Sequence, residues 1–502
     1  MPHFMTYTSA APLWAAKREE LNLTKADYRW PLIFMLTAAL LGLNFYPAIL
    51  GIFAIILNRW RHDRYDCAIM IFLSVGAYGV LRSKLLPGVP AFDIGLIGGV
   101  ICMMLLRKPP VIKLVLFIFV LYGLALFYCA TQSTETMGIQ IRRLRYYFSF
   151  ITFFIPLAVF ADRAFDIKVF FRKLMPYVFL MCGAYIVDAF ILKSDIFAPG
   201  NFRWDGQTTT FYHPILNIFS LSPHRKYPYG LYIVFFVLLP AMRMFRLKWW
   251  EWGLIALAAF STMTFTYMAT LVIVLLLFQG SLKRFVVITI GAVAVFWALY
   301  FVDSLLPENV DDWGNSSQSA LRIKSSVDQF TSLFEAVDDE DLAEFGSGRI
   351  AQAIPKLDLV DFYGKQATGL GFLHPELSNS NRFTIVNEYY IDVSDNEEVA
   401  TGVEIGPIQT YIDAGWIGLT AHFLFFLSMY LIVARMRYSS YFLSILICVG
   451  IMGLSGFASL AAFQGQHMAG FAFAVVILAN RSGLGFSPAD REVKPTATAQ
   501  TL

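Results

Sequence analysis

The stretch that decides the fold begins DSLLPENVDDWGNSSQ at Asp303–Gln318 and ends GVEIGPIQ at Gly402–Gln409. Between these ends run roughly a hundred residues rich in charge, amide and glycine, far more than an ordinary connection contains. Nearly continuous apolar sequence lies on both sides of it. Because long connections between packed helices commonly carry function, we expect the functional residues to lie in this polar stretch.

The composition of the whole chain identifies its class. Of the 502 residues, 57% are hydrophobic and 15% are charged, whereas soluble domains carry about 25% charged residues. The mean hydropathy of +0.59 agrees, and together these values predict an all-α polytopic membrane protein. A net charge of +3 argues against nucleic acid as a partner. The five cysteines lie in or beside apolar runs without metal-ligand spacing, so no structural zinc, no other metal and no cofactor are expected.

Apolar runs and their basic flanks predict about 12 to 14 membrane passages. Pro31–Leu57, interrupted by Asn44 and Pro47, is interpreted as two short spans, Tyr146–Ala161 as one span, and Trp249–Gln279 as a double crossing. The flanks place both termini in the cytoplasm and the polar loop outside. The predicted parts are a cytoplasmic amphipathic segment at 1–29, a membrane bundle at 30–302, the outer loop at 303–407, C-terminal membrane helices at 408–481 and a disordered cytoplasmic tail at 482–502.

Short motifs stand in the polar loop and at its end. Gly346-Ser347-Gly348-Arg349 opens a stretch, Ile350–Phe362, with the apolar spacing of a helix. Thr368-Gly369-Leu370-Gly371-Phe372 follows it. Glu404-Ile405-Gly406-Pro407 then leads into Tyr411, Asp413, Gly415 and Gly418. Gly406 and Pro407 suit the N-cap and first turn of a helix, so Glu404 lies beside a helix N-terminus, placed either to accept a proton or to cap the helix.

Three arginines stand on the outer side in this topology, against the positive-inside trend: Arg142, Arg143 and Arg145. Arg142 and Arg145 share one face of a helix and can converge on one anion, the alternative being contact with lipid headgroups. Guanidinium groups pair bidentately with phosphate, so the expected ligand is anionic and lipid-linked, such as a diphosphate. Further candidates to contact substrate are His374, His467 and Tyr411.

The order of these motifs, with an outer loop late in a chain of many spans, resembles the Wzy-type O-antigen polymerase and O-antigen ligase family over Gly346 to about Phe426. The resemblance implies a GT-C-like glycosyltransferase architecture in the bacterial inner membrane, with the loop in the periplasm. It also implies an inverting, metal-independent transfer of a glycan from an undecaprenyl diphosphate carrier. Arg349 matches the family's motif arginine, which binds the diphosphate. A chain-length regulator and a flippase are the implied partners.

Two positions depart from the family pattern. The residue eleven before Gly415 is Glu404, where the family commonly has a histidine, and Ser261–Thr266 lacks the arginine of a frequent Ser-Arg pair. Glu404 keeps a group able to accept the proton of the acceptor hydroxyl, and Arg142 or Arg145 can supply the second diphosphate contact. The leading interpretation is therefore a polymerase of lipid-linked repeat units.

Two alternatives stay open. A ligase or protein oligosaccharyltransferase would move the glycan to another acceptor by the same chemistry. A transporter or flippase of polysaccharide lipid belongs to another class, and repeated halves, buried ionisable residues and broken helices would favour it. By sequence, Asp188 is the main charged residue inside a span, and the large loop has no counterpart elsewhere in the chain.

Overall fold

The computed structural model of the chain describes residues 19–42, 45–75, 84–86, 89–105, 110–133, 136–160, 165–187, 201–203, 226–228, 241, 244–261, 290, 349–372, 406–435 and 475. This part is mostly helical, in agreement with the all-α class expected from the sequence. The strands in it are two or three residues long and form three separate pairs.

The helices of the described part are, in chain order, α1 Lys25–Gly42, α2 Ala48–His62, α3 Arg64–Val75, α4 Ala91–Leu105, α5 Pro110–Thr131, α6 Met137–Leu144, a 3-10 helix Arg145–Phe153, α7 Phe154–Val159, α8 Ile167–Ile186, α9 Trp249–Ser261, α10 Arg349–Phe362 and α11 Gly406–Arg435. The strands are β1 Glu19–Glu20, β2 Lys84–Leu86, β3 Val89–Pro90, β4 Asn201–Arg203, β5 Lys226–Pro228 and β6 Phe245–Arg246. Strand β1 pairs in parallel with β6, whereas β2–β3 and β4–β5 are antiparallel.

Three described helices are long and apolar enough to cross a membrane: Lys113–Thr131, Ile167–Ile186 and Gly406–Ile432. Two shorter apolar helices, Asp93–Leu105 and Phe150–Val159, accompany them. These helices support a membrane protein. The predicted total of about 12 to 14 passages depends on residues outside those described, as does the double crossing after Ser261.

Two apolar runs divide into shorter elements. In Pro31–Leu57 the chain leaves helix α1 at Gly42 and enters α2 at Ala48, as the predicted interruption near Asn44 and Pro47 required. The expected single helix at Tyr146–Ala161 is instead a 3-10 helix followed by the short α7. The sequence there is apolar and aromatic on every face, so its pattern does not distinguish three from 3.6 residues per turn.

Helices α5 and α11 pack antiparallel along their length. Gly418 of α11 lies against Leu126 of α5, where an added Cβ would stand 3.6 Å from the leucine Cδ2. Further along, the Tyr122 and Phe425 rings stack with centroids 4.6 Å apart. The C-terminal end of α5 therefore meets the N-terminal half of α11, and the candidate site lies at that end.

A buried group of charges joins α1, α2, α3 and α8 elsewhere in the bundle. Arg59 Nη2 lies 3.2 Å from Asp63 Oδ2 and 3.0 Å from Asp66 Oδ2, and Lys173 Nζ lies 2.9 Å from Asp63 Oδ2. The Arg59 guanidinium also covers the ring of Trp30 of α1 at 4.9 Å. Each buried charge here has an opposite partner, which buried ions require.

Candidate functional site

Helix α11 is broken at Gly415. This residue has φ 60° and ψ −162°, a backbone region that essentially only glycine occupies. In a continuous α-helix each amide donates to the carbonyl four residues earlier, so Trp416 would bond to Ile412 and Ile417 to Asp413. The break releases these two amides and two carbonyls in the middle of a helix of membrane length.

The loop Lys365–Phe372, here named the TGLGF loop, supplies new partners for all four groups. The amide of Trp416 donates to the carbonyl of Gln366 at 2.9 Å and that of Ile417 to Ala367 at 3.0 Å. In return, the amide of Leu370 donates to the carbonyl of Ile412 at 2.8 Å and that of Gly371 to Asp413 at 3.0 Å. Two intrahelical bonds are thus replaced by four bonds between loop and helix.

Glycine is required where the loop meets the helix. Gly369 has φ 71° and Gly371 has φ 97°, both in the left-handed region that side chains disfavour. A Cβ at Gly369 would overlap the backbone of Asp413–Gly415, and a Cβ at Gly371 would overlap the side chain of Ser133. Gly369 therefore permits the close approach of loop backbone to helix backbone, and Gly371 permits the close approach of the loop to the Ser133 side chain.

A carboxylate lies directly beneath the break. Asp413 is fully buried, and each of its carboxylate oxygens accepts a hydrogen bond. Gln409 Nε2 donates to Oδ1 at 2.6 Å, and the Tyr147 hydroxyl donates to Oδ2 at 3.0 Å. Gln409 belongs to the helix segment before the break, whereas Tyr147 belongs to the 3-10 helix. Asp413 thus links α11 to the segment that carries the three candidate arginines.

The TGLGF loop is also bonded to helix α6 and to the end of α5. The Ser133 hydroxyl donates to the carbonyl of Leu370 at 3.1 Å, and Gln140 Nε2 donates to the Ser133 oxygen at 2.9 Å. Gln140 Oε1 accepts from the amide of Phe372 at 2.6 Å. Gln140 is fully buried in the same short helix that contains Arg142 and Arg143. The loop motif and the arginine-bearing helix therefore meet directly.

The contact between the TGLGF loop and the break of α11 at Gly415 is here named the junction, and helix α10 packs against it. The predicted helix at Ile350–Phe362 is confirmed, since α10 runs from Arg349 to Phe362. Its residues Leu359 and Val360 form a buried apolar cluster with Leu370 of the loop and Ile412 of α11. Arg349, the motif arginine, is thus the first residue of a helix whose last turns contact the break.

Arg145 is held by an acidic partner from another helix. Its Nη1 donates to both carboxylate oxygens of Asp93 in α4, at 3.0 and 2.7 Å. Both side chains are about a quarter exposed. An anionic ligand would have to compete with Asp93 for this guanidinium.

Of the remaining predicted site residues, Tyr411 lies within the described part of the chain. Tyr411 is half-buried in α11, and its ring meets Trp416 edge to face at 5.0 Å. Glu404, two residues before the start of α11, lies outside the described residues, as do His374, His467 and the Gly346–Gly348 part of the first motif. Among the residues that the structure describes, no group of three or more His, Cys, Asp or Glu side chains could hold a metal ion.

Several residues of the junction were not singled out by the sequence pattern: Ser133, Gln140, Tyr147, Gln409 and Asp93. Gln409 carried a usable signal, because it stands four residues before Asp413 and therefore on the same helix face. The others lie far from the motifs along the chain, and no spacing rule connects them. Asp413, like Asp188, is a charged residue within an apolar run of the sequence.

His422 is a packed residue in the structure. Its Nδ1 lies 3.0 Å from the Tyr122 hydroxyl, and its ring meets those of Tyr147 and Phe426 edge to face.

In comparisons with known proteins, no family model and no curated protein matches this chain.

Proposed function

We propose that the chain is a polymerase that joins undecaprenyl-diphosphate-linked oligosaccharide repeat units at the periplasmic face of a bacterial inner membrane. One observation carries the proposal: the TGLGF loop lies in the break at Gly415 and is bonded through Gln140 to the helix that contains Arg142 and Arg143. Motifs that are separate in the sequence therefore belong to one junction. The helix that begins with Arg349 and the helix that begins just after Glu404 both contact it.

The antiparallel packing of α5 and α11 supports the proposed orientation. The junction lies at the end of α5 that finishes at Thr131, opposite the end near Lys113. Arg435 ends α11 on that opposite side. Lys113 and Arg435 at one end agree with a cytoplasmic face there, whereas Arg142, Arg143 and Arg145 at the junction end depart from the positive-inside trend.

The proposed reaction is a single inverting displacement. The acceptor hydroxyl oxygen attacks the anomeric carbon of the donor sugar, and the Glu404 carboxylate accepts the hydroxyl proton. The new glycosidic bond forms as the bond between the anomeric carbon and the diphosphate oxygen breaks, and undecaprenyl diphosphate leaves. Arg349, Arg142 and Arg143 stabilise the negative charge on the leaving diphosphate through paired hydrogen bonds. Trp416, 58% exposed at the break, offers an aromatic face for a sugar ring.

The first test is a gel of surface and lipid-linked glycans from the host strain after deletion of this gene. We expect single repeat units on the final acceptor and loss of long chains. Long chains that accumulate on the polyprenyl carrier would instead assign a ligase, and an unchanged glycan profile would overturn both assignments.

The second test uses the deletion strain to examine the proposed base. Glu404→Gln is expected to abolish the polymer, because an amide does not accept the hydroxyl proton, while the protein still inserts in the membrane. Asp358→Asn, which changes an exposed carboxylate of α10, serves as the matched control and should restore long chains. Full-length polymer from Glu404→Gln would remove Glu404 from the mechanism.

A transporter of polysaccharide lipid is the second candidate, and the break in α11 favours it. Discontinuous membrane helices with a buried acidic residue are typical of transport sites. In this chain, however, the four released backbone groups bond to the TGLGF loop, whereas a transport site would direct such groups at its substrate or ion. Reconstituted protein that moves a labelled lipid-linked sugar across a bilayer without forming glycosidic bonds would select the transporter.

A further inference from the structure

Tyr147 and Asp413 form a buried contact between segments separated by 266 residues in the chain. Both side chains are fully buried. The hydrogen bond joins the 3-10 helix that directly follows Arg142 and Arg143 to the residue two positions before the break. Because a buried polar group that loses its hydrogen-bond partner is costly, this contact can fix the relative position of the two segments.

Asp413 is bonded to two other segments and to the first turn of its own helix. Its side chain accepts from Tyr147 and from Gln409, and its backbone carbonyl accepts from Gly371 of the TGLGF loop. The next residue, Ala414, accepts at its carbonyl from the Cys129 thiol of α5 at 3.3 Å. A shift of the Asp413 side chain would therefore be transmitted to the loop, to the start of α11 and to the 3-10 helix.

We infer that Tyr147 and Asp413 are a positioning pair, which holds the arginine-bearing segment, the TGLGF loop and the first half of α11 in one fixed arrangement. The pair acts through other residues, since both side chains are buried beneath the break. Its effect on glycosyl transfer rests on the function proposed above: the pair sets the distance between the arginine-bearing segment and the start of α11, which Glu404 precedes by two residues in the sequence. Small errors in such a distance slow a displacement reaction strongly.

A second buried tyrosine provides a matched control. The Tyr122 hydroxyl is bonded to His422, also on α11, and lies in an equally apolar environment. Tyr122 belongs to α5, however, and its partner lies beyond the break, within the continuous half of α11. Tyr122→Phe and Tyr147→Phe each delete one buried hydroxyl that contacts α11, but only Tyr147→Phe removes a hydrogen bond to Asp413 beside the break.

The first measurement is backbone hydrogen exchange of the full-length protein in lipid nanodiscs, read by mass spectrometry. In Tyr147→Phe, peptides containing Leu370–Phe372 and Trp416–Ile417 should exchange about tenfold faster than in Tyr122→Phe, since an oxygen of the buried Asp413 side chain loses its hydrogen-bond donor. Peptides of α8 should exchange equally in both variants. Equal exchange at the break in the two variants, or faster exchange throughout the chain in Tyr147→Phe alone, would overturn the positioning pair.

The second measurement is the rate of glycan transfer per folded protein with a lipid-linked repeat unit. Tyr147→Phe should lower kcat about tenfold to a hundredfold while the KM for the donor changes little, and Tyr122→Phe should match the unchanged protein. Faster exchange at the break with unaltered kcat would overturn the positioning role. Absence of transfer by the unchanged protein would overturn the proposed function and leave the exchange result standing.

If Tyr147→Phe fails to insert, Asp413→Asn replaces it in both measurements. Asparagine keeps the size of the side chain but replaces one of the two accepting oxygens by an NH2 group, so either Gln409 Nε2 or the Tyr147 hydroxyl loses its acceptor. The same local increase in exchange and the same decrease in kcat are expected. An exchange pattern equal to that of Tyr122→Phe would overturn the inference.

Discussion

At Gly415 the chain turns into a conformation that a side chain does not tolerate, within a helix that is otherwise regular. The absence of Cβ serves two purposes there. It permits the positive φ, and it leaves room for the backbone of Ala367, which an added Cβ would overlap. The break and its contact with the loop therefore depend on the same missing atom.

Replacement of Gly415 by alanine should lower the free energy of unfolding by at least about 2 kcal/mol, because the residue must leave its φ or displace the loop. Thermal unfolding of the purified protein in detergent measures this loss. Gly138→Ala is the control: Gly138 lies exposed in α6 with nothing within 4 Å of an added Cβ. That change should cause no loss, since alanine favours a helix by about 0.5–1 kcal/mol over glycine. Equal stability of the two variants would contradict the strained geometry.

The individual residues of the junction differ in how well the sequence predicted them. Asp413, Gly415 and the glycines of the TGLGF loop were recognised as motif residues from the order of the short motifs along the chain. Tyr147 and Gln140 were not, because an aromatic or amide residue in an apolar run has many ordinary explanations. Arg145 was expected to face an anion, but its ion pair with Asp93 depends on the packing of α4, which spacing alone does not reveal.

Among the elements, α10 and the TGLGF loop behave as one unit against the first half of α11. Leu359 and Val360 are buried against Leu370 and Ile412, and the amide of Lys365 donates to the carbonyl of Val360. The last turn of α10 therefore fixes the position of Lys365, where the TGLGF loop begins. Loss of apolar contact in this cluster should release the loop from the break.

Leu359→Ala should destabilise this unit by about 2–5 kcal/mol, the usual result of removing a buried leucine side chain. The loop would then open more often, so trypsin should cleave after Lys365 at least about tenfold faster. Phe362→Ala, on the same helix but 69% exposed, should leave the cleavage rate unchanged. Limited proteolysis in nanodiscs measures both rates, and equal cleavage of the two variants would show that the cluster does not hold the loop.

The sequence predicted the existence of these elements better than their pairing. Helix α10 was expected from apolar residues that recur with helical period, and the structure agrees. The contact between the TGLGF loop and α11 was not expected, because it consists of backbone hydrogen bonds, which leave no pattern of side chains. The 3-10 helix was missed for a related reason, since its run is apolar in every direction and no face is distinguished.

Across the whole molecule, the membrane class followed directly from composition, whereas the arrangement of helices depends on contacts between distant segments. The buried charges Arg59 and Asp66, with the half-buried Asp63 and Lys173, join helices α2, α3 and α8. Asp63 and Asp66 precede the apolar run that begins at Cys67. Burial, and then the neighbouring Asp63 carboxylate, raise the pKa of Asp66 to about 6 against the opposing effect of Lys173 and Arg59.

This raised pKa predicts how the stability of the bundle depends on pH. The folded protein retains the Asp66 proton to higher pH than the unfolded chain, so protonation favours the folded state at low pH. That contribution, up to about 3 kcal/mol, should be lost as the pH rises from about 4 to about 6. Asp66→Asn removes the dependence. Thermal unfolding across this pH range should therefore show the two proteins diverging, and parallel curves would contradict the raised pKa.

The contribution of Asp63 to stability changes with pH in the opposite direction to that of Asp66, and over a lower pH range. Burial alone would raise its pKa, but Lys173, the amide of Asp66 and Arg59 together hold it below the ordinary value. Its stabilising charge is lost only as the pH falls below about 4, so it does not mask the effect of Asp66.

Trp416 and Ile417 have hydrogen-bond acceptors available whether α11 is broken or continuous. In the broken form the TGLGF loop provides them, and in a continuous helix Ile412 and Asp413 would. If the loop left, the amides of Trp416 and Ile417 could bond to the carbonyls of Ile412 and Asp413 within a continuous helix. The loop's own amides and carbonyls would then bond to water. No backbone group of the span has to face hydrocarbon unpaired, so the bilayer opposes neither form.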